Sequence, residues 1–410
     1  MTWVLLVFGV SCATAAAVSL WPPQRPGTVA VLMWPVGWLV GELPLHVLAL
    51  WTGTGAVLVS LGGAAAWPGW LGLVALALAL AGLRQHLVYA AVTTRKIDEV
   101  LGPDPAPAPL PWKALALVLP FRPRRITRER DLEYARIDGK PLRLDVYHQD
   151  GAHHGPGLRP VFVYVHGGGW VIGNKRQQGR LTVHELAAAG WVCVSVNYRL
   201  SPRATFPDHL IDVKRALAWI KAHIAEHGGD PRFIVIGGGS AGAHLASLAA
   251  LTAGQPAYQP GFADVDLSVQ GCVAYYGVYD FVDGDRHFRH KAFHDLLLAR
   301  IVMKQPLARA SELYERASPV AQITAAAPPF LVWHGDRDSL APVTAARTFV
   351  KTLRATSRAR CDYVELPGAQ HAFELFPSLR SVAVVHGTKR FCQALHAAWQ
   401  RSALTPADSR

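Results

Sequence analysis

The chain has 410 residues, of which 51% are hydrophobic, a formal charge of +12 and a mean hydropathy above zero. It is long enough for one large domain with additional elements, and too apolar for an ordinary soluble enzyme unless the excess is confined to one part. No aromatic-basic motif accompanies the positive charge, which argues against nucleic acid as a partner.

The excess is confined to residues 1–83, where Arg25 and Glu42 are the only formally charged side chains. Apolar runs at about 3–20, 28–51 and 55–83 are each near the roughly 20 residues that a bilayer-crossing helix needs. Trp3, Trp21, Trp34, Trp38, Trp51, Trp67 and Trp70 crowd this region, several at run ends, where interfacial aromatics stand. The expectation is an all-α, multi-pass membrane region of three helices. Gly37-x-x-x-Gly41 would allow close helix approach. Ala13-Thr14-Ala15 resembles a processing site, but no Lys or Arg opens the chain as a signal peptide would require.

Arg84, Arg95, Lys96, Lys113, Arg122, Arg124, Arg125, Arg128 and Arg130 follow the third run. This excess puts the C-terminal part on the cytoplasmic side, and Arg25 between the first two runs agrees with three crossings. A basic segment beside a bilayer favours anionic headgroups, so membrane lipids are expected partners. Cys12, Cys193, Cys272, Cys361 and Cys392 form no close pairs and read as free thiols. Residues 84–125 form a linker: an amphipathic helix at 87–101, a proline-rich spacer at 102–111 and an apolar, basic-tailed segment at 112–121 suited to the headgroup region.

A catalytic domain is expected over 126–402, followed by a flexible tail at 403–410. Residues 132–137 and 142–148 alternate about Asp138-Gly139, a hairpin signal. Strands are then expected at 161–165, 191–197, 233–236, 269–275, 330–333 and 362–366, with helices at 181–189, 210–227, 344–353 and 381–400. This alternation specifies an α/β fold with a mainly parallel sheet covered on both faces.

Two glycine-rich turns carry the chemistry. Residues 233–246 read as a strand, a turn and an Ala/Leu-rich helix. Gly238-x-Ser240-x-Gly242 at the turn is a candidate nucleophile elbow, with the serine at a helix N-terminus. The same residues spell Gly237-x-Gly239-x-x-Gly242, a dinucleotide fingerprint. That reading needs an acidic residue ending the next strand, whereas Asp264 and Asp266 precede it, so no cofactor is expected. Upstream, His166-Gly167-Gly168-Gly169-Trp170 follows a strand, and consecutive glycines can turn backbone N–H groups toward an oxyanion. A serine hydroxyl also needs a base and an orienting acid. Loops after later strands offer His334, Asp336 and Asp338, and then His371.

His166-Gly167-Gly168-Gly169-Trp170-Val171-Ile172-Gly173, Asn197-Tyr198-Arg199-Leu200-Ser201-Pro202 and Gly239-Ser240-Ala241-Gly242 resemble, in order and spacing, the α/β-hydrolase esterases of the hormone-sensitive-lipase-like group. The resemblance runs from about 130 to 399 and leaves out the membrane region. It implies a catalytic set of Ser240, Asp338 and His371; by position alone Asp336, two residues earlier on the same loop, competes as the acid and His334 more weakly as the base. It also implies an oxyanion hole from the N–H groups of Gly168, Gly169 and Ala241, with His166 structural. Ala243 departs from the group, where a glycine is frequent.

An insertion at 283–318 is expected to cap the substrate pocket. Its apolar stretch 296–303 either contacts an acyl chain or packs the cap onto the core. His287, His290 and His294 share a helical face, but Arg286, Arg289 and Lys291 surround them, so no metal is expected. The expected function is a membrane-anchored serine carboxylesterase or lipase acting on apolar esters through an acyl-enzyme. An acyltransferase using the same residues is the alternative.

Overall fold

The computed structural model describes residues 1–23, 27–105, 110–118, 125–151, 157–284 and 295–404. The expectations placed on Arg25, Arg122, Arg124 and the trio His287, His290 and His294 therefore lie outside the described residues, as does most of the tail at 403–410.

The apolar N-terminal region folds as α1 (Thr2–Leu20), α2 (Gly27–Glu42), α3 (Pro44–Leu58), continued by a π-helical turn over Val59–Gly63, and α4 (Trp67–Leu101). Helices α1 and α4 pack backbone to backbone. A methyl group at Gly9 would stand 2.0 Å from the Gly72 carbonyl oxygen, so only glycine permits the crossing.

The run at 28–51, expected as one crossing, is two helices. Pro44 has no N–H to donate back into a helix and excludes the helical conformation from Leu43, which sits at φ −117° and ψ 43°. Among the described residues, three helical stretches are long and apolar enough to cross a membrane: Thr2–Leu20, Pro44–Gly63 and Trp67–Leu101. Their number agrees with the expectation, but the second takes in the start of the third run and leaves α2 out. Helix α4 also absorbs residues 87–101, expected as a separate helix. At 1.5 Å per residue its 35 residues extend about 52 Å, beyond the roughly 30 Å of bilayer hydrocarbon. A short helix, α5 (Trp112–Leu117), follows the proline-rich stretch.

The remainder builds one eight-stranded sheet in the order β1-β2-β4-β3-β5-β6-β7-β8. Strands β1 (Ile126–Ile137) and β2 (Lys140–Gln149) form the expected hairpin, and β2 joins β4 (Val192–Val196) antiparallel. From β4 onward the sheet is parallel through β3 (Arg159–Val165), β5 (Gly229–Gly239), β6 (Gly271–Tyr275), β7 (Phe330–Gly335) and β8 (Cys361–Leu366).

Parallel strands need crossovers, and these are supplied by α6 (Arg180–Ala188), α7 (Asp208–His223), α8 (Ala241–Leu251), α9 (Ser311–Arg316) and α10 (Val343–Thr356); α11 (Leu379–Leu404) closes the domain. Both sheet faces are buried. One cluster joins Val163, Val194, Ile236 and Ala274 to α7 and α8; the other joins Phe162, Val235, Val273 and Trp333 to α6 and α11. This is why the central strands read as near-continuous apolar runs instead of alternating ones. Ile97 of α4 belongs to the second cluster, so the long apolar helix and the α/β sheet domain share a core.

Candidate active site

Strand β5 ends at Gly239 and α8 begins at Ala241, with Ser240 alone in the turn at φ 55° and ψ −122°. An L-residue there is strained, and the surroundings over-determine it. The Ser240 N–H bonds the Tyr275 carbonyl at 2.9 Å. The flanking glycines let the end of β3 press against the turn: a methyl group would lie 2.4 Å from the Val165 carbonyl oxygen at Gly238, and 2.0 Å at Gly242. Ala241 is the first residue of α8, whose N–H has no acceptor within the helix.

The Ser240 hydroxyl is 2.8 Å from Nε2 of His371, which the turn after β8 carries. On the far side of the ring, Nδ1 is 2.7 Å from Oδ2 of Asp338, in the loop after β7. The other oxygen of Asp338 accepts the N–H groups of Leu340 at 2.9 Å and Ala341 at 2.8 Å. The Asp338 side chain is fully buried and the imidazole nearly so. The carboxylate thus has one oxygen tied to the backbone and one turned to the ring.

Asp336 faces elsewhere: its carboxylate accepts the Gly368 N–H at 2.7 Å, and burial pushes its carboxyl above the ordinary range. It holds the start of the His371 turn without touching the ring. His334 donates Nε2–H to the Ala341 carbonyl at 2.8 Å, and burial keeps it neutral by lowering its pKa.

The glycine loop after β3 stands beside Ser240. Gly168 and Gly169 have φ of 117° and 60°, and both line the cavity that Ser240 and His371 also line. His166 is buried behind the loop, its Nδ1 2.8 Å from the Gly167 carbonyl and its ring stacked on Tyr198 at 4.5 Å. Burial lowers its pKa to about 4, so it is a neutral strut.

Sequence reasoning missed several residues here. Gln178 accepts the Gly167 N–H at 2.7 Å and fixes the loop. Trp170 donates to Nδ1 of His244 at 3.2 Å, and His244 donates to the Ala317 carbonyl at 2.7 Å, which links the loop, α8 and the cap. The Tyr276 ring packs 4.5 Å from the His371 ring, and its hydroxyl donates to the fully buried Glu374. Burial raises the Glu374 carboxyl, whose other oxygen accepts the Tyr164 hydroxyl at 3.0 Å. Apart from Gln178, 11 residues from Gly167, these partners lie far apart in sequence, and only Glu374, an acid in an apolar stretch, gave any signal.

The largest departure concerns α2. Trp34 donates Nε1–H to the carbonyl of His371 at 3.2 Å, and Trp38 donates to that of Ala372 at 2.9 Å. The two indoles stack at 5.2 Å, and Trp38 packs on Phe376 at 4.6 Å. Glu42, at the end of the helix, forms a buried ion pair with Arg380 and accepts the Ser378 hydroxyl at 2.8 Å. Tyr89 of α4 covers Gly368 so closely that any side chain there would meet its ring. Helices from the apolar region therefore grip the histidine-bearing turn.

Above Ser240 lies a cavity of about 350 Å³, within the size range of small-molecule sites. Among the described residues, its polar lining side chains are Ser240, His371, Gln178 and Tyr276; the apolar ones include Val31 and Trp34 of α2, Leu297 and Leu298 of the insertion, and Leu340 and Leu375.

The family described as BD-FAE matches residues 144–353. A probable carboxylic ester hydrolase, LipM, of Mycobacterium tuberculosis is 43% identical over 95% of this chain and 93% of its own length. Esterase LipC of the same organism is 39% identical over 74% of this chain and 75% of its own. In fold, the chain is similar to the esterase Est2 of Thermogutta terrifontis, with a TM-score of 0.53 and 24% identity over 68% of this chain and 95% of that one.

Proposed function

The chain belongs to the hormone-sensitive-lipase-like α/β-hydrolase esterases and is a carboxylic ester hydrolase, and on that premise we propose that it is a membrane-anchored serine esterase acting on apolar esters. Ser240, His371 and Asp338 are its catalytic residues. The observation that carries the reading is the unbroken hydrogen-bonded series from the Ser240 hydroxyl through His371 to Asp338, opening on an apolar cavity.

In the first half-reaction the Ser240 oxygen bonds to the ester carbonyl carbon as its proton passes to His371 Nε2. The carbonyl oxygen takes up the electron pair, and the N–H groups of Gly168, Gly169 and Ala241 stabilise it. The intermediate collapses, the alkoxy group leaves with the proton from His371, and an acyl-serine remains. Water then attacks, giving its proton to His371, and the acid departs as the serine is re-protonated. Asp338 holds the tautomer with hydrogen on Nδ1, which leaves Nε2 free to accept.

Anchoring rests on the three helical stretches that are long and apolar enough to cross a membrane. In this reading residues 1–83 carry the crossings and 84–125 the membrane-side linker. Residues 126–402, with their cap at 283–318, lie on the cytoplasmic side, next to the basic residues that follow α4. Ser240→Ala tests the nucleophile: it should abolish hydrolysis of a short-chain nitrophenyl ester and labelling by a fluorophosphonate. Wild-type turnover by this variant would refute the assignment. Labelling in intact against permeabilised cells tests the side of the membrane.

A further inference from the structure

We infer that Trp34 of α2 is a specificity-determining residue, which sets how long an acyl chain the active site accepts; this rests on the serine-esterase reading above. Three observations meet at this side chain. Trp34 and Val31 line the cavity over Ser240, so a helix from the apolar N-terminal region supplies part of its wall. The indole is also fastened to the catalytic turn, its Nε1–H on the His371 carbonyl at 3.2 Å and its face stacked on Trp38. It is thus a fixed wall rather than a mobile side chain.

The third observation is how the wall is anchored. Glu42 at the C-terminal end of α2 is held by Arg380 and Ser378, both buried. Trp38 is held by the Ala372 carbonyl. The helix is tied to the same turn from its middle to its end.

The chemistry of the lining defines the ligand. Beyond Ser240, His371, Gln178 and Tyr276 the cavity presents apolar side chains, among them Val31, Trp34, Val278, Leu297, Leu298 and Leu375, and among the described residues it is lined by no charged side chain. Such a wall receives hydrocarbon and excludes charged or heavily hydroxylated acyl groups, which would lose their water without a partner. The substrate class is therefore an ester of a fatty acid, its chain ending against the Trp34 indole. Replacing the indole by a methyl group lets a longer chain extend into the space.

Trp34 and Trp38 separate two roles that the helix could have. Both donate to the catalytic turn, but only Trp34 lines the cavity. If positioning the turn were the whole role, both substitutions would lower kcat for every ester alike. A wall changes the ratio between chain lengths.

The test uses the full-length protein in detergent micelles and nitrophenyl esters from butanoate to dodecanoate. One methylene in an apolar pocket is worth about tenfold or more in kcat/KM. Trp34→Ala is therefore expected to raise the dodecanoate-to-butanoate ratio of kcat/KM by about tenfold or more. Trp38→Phe should lower kcat without moving that ratio more than about twofold, and Trp34→Phe, which keeps most of the wall, should fall between. If Trp34→Ala does not accumulate, Trp34→Leu is read in the same way.

A ratio unchanged in the Trp34 variants, or moved equally by Trp38→Phe, overturns the proposal. Fluorophosphonate labelling of Ser240 in the same samples separates the two levels. A labelled enzyme with an unchanged ratio removes the wall and leaves the serine-esterase reading. An unlabelled wild type removes the reading beneath it as well.

Discussion

Asp338→Asn is the most demanding check on the candidate site, because the structure dictates which way the new amide must turn. One oxygen of Asp338 accepts two backbone N–H groups, from Leu340 and Ala341. An amide NH₂ placed there would face two donors and lose both bonds, so the Asn oxygen takes that position. The NH₂ then points at Nδ1 of His371, where Asp338 now accepts at 2.7 Å. Being a donor, it stabilises the tautomer with hydrogen on Nε2, which cannot accept the serine proton. The expected loss is about 10⁴-fold in kcat, or roughly 5.4 kcal/mol of transition-state stabilisation. Asp336→Asn keeps an oxygen for the Gly368 N–H and should cost less than about tenfold. The assay is nitrophenyl butanoate hydrolysis by both variants in parallel, with circular dichroism to show that the fold is intact. A folded Asp338→Asn enzyme within tenfold of wild type, or an equal loss from Asp336→Asn, would refute the assignment of the acid.

Gly242→Ala puts a methyl group 2.0 Å from the Val165 carbonyl oxygen and should destabilise the domain by about 3 kcal/mol or more, read as a lower thermal midpoint; an unchanged midpoint would show that β3 can retreat. Glu42→Ala strands the buried Arg380 guanidinium and should cost about 3–5 kcal/mol, with much of it recovered in Glu42→Leu/Arg380→Met; heat-inactivation rates in detergent measure both. Acidification should weaken the fold, because burial lowers His166 and His209 to about 4 and His244 to about 3. The unfolded chain takes up these protons first, near pH 6.5, so the stability present above that pH falls toward pH 4 by about 1.4 kcal/mol per unit for each histidine. A thermal midpoint that rises between pH 7 and pH 5 would contradict this.

What the sequence disclosed follows the range of the interactions. The hairpin at Asp138-Gly139, the parallel strands and the two glycine turns depend on neighbours a few residues away, and all are present, although β1 begins six residues and β5 four residues before the expected start. The choice between Asp336 and Asp338 depends on how one loop curls, which the resemblance to known esterases supplied and spacing alone did not. The role of α2 was hidden for a different reason. Hydropathy cannot distinguish a helix that faces lipid from one that packs on a protein surface. Two local signs were nonetheless present in the second apolar run: Pro44, which ends a helix, and Glu42, a charge in need of a partner. That partner, Arg380, lies 338 residues away, beyond the reach of any periodicity.

The ties between α2 and the His371 turn join residues 334 to 337 positions apart, and this gives assembly a direction in time. Synthesis delivers the apolar helices first and the Ser240 elbow next; the imidazole follows 131 residues later. At about 5–20 residues per second, the Ser240 hydroxyl waits roughly 7–26 s for that imidazole. When the last strand and the turn after it are made, the residues that receive them, Trp34, Trp38 and Glu42, have long been synthesised. The Ser240–His371 hydrogen bond therefore forms only as the fold nears completion, and a chain interrupted before residue 371 carries Ser240 without that imidazole.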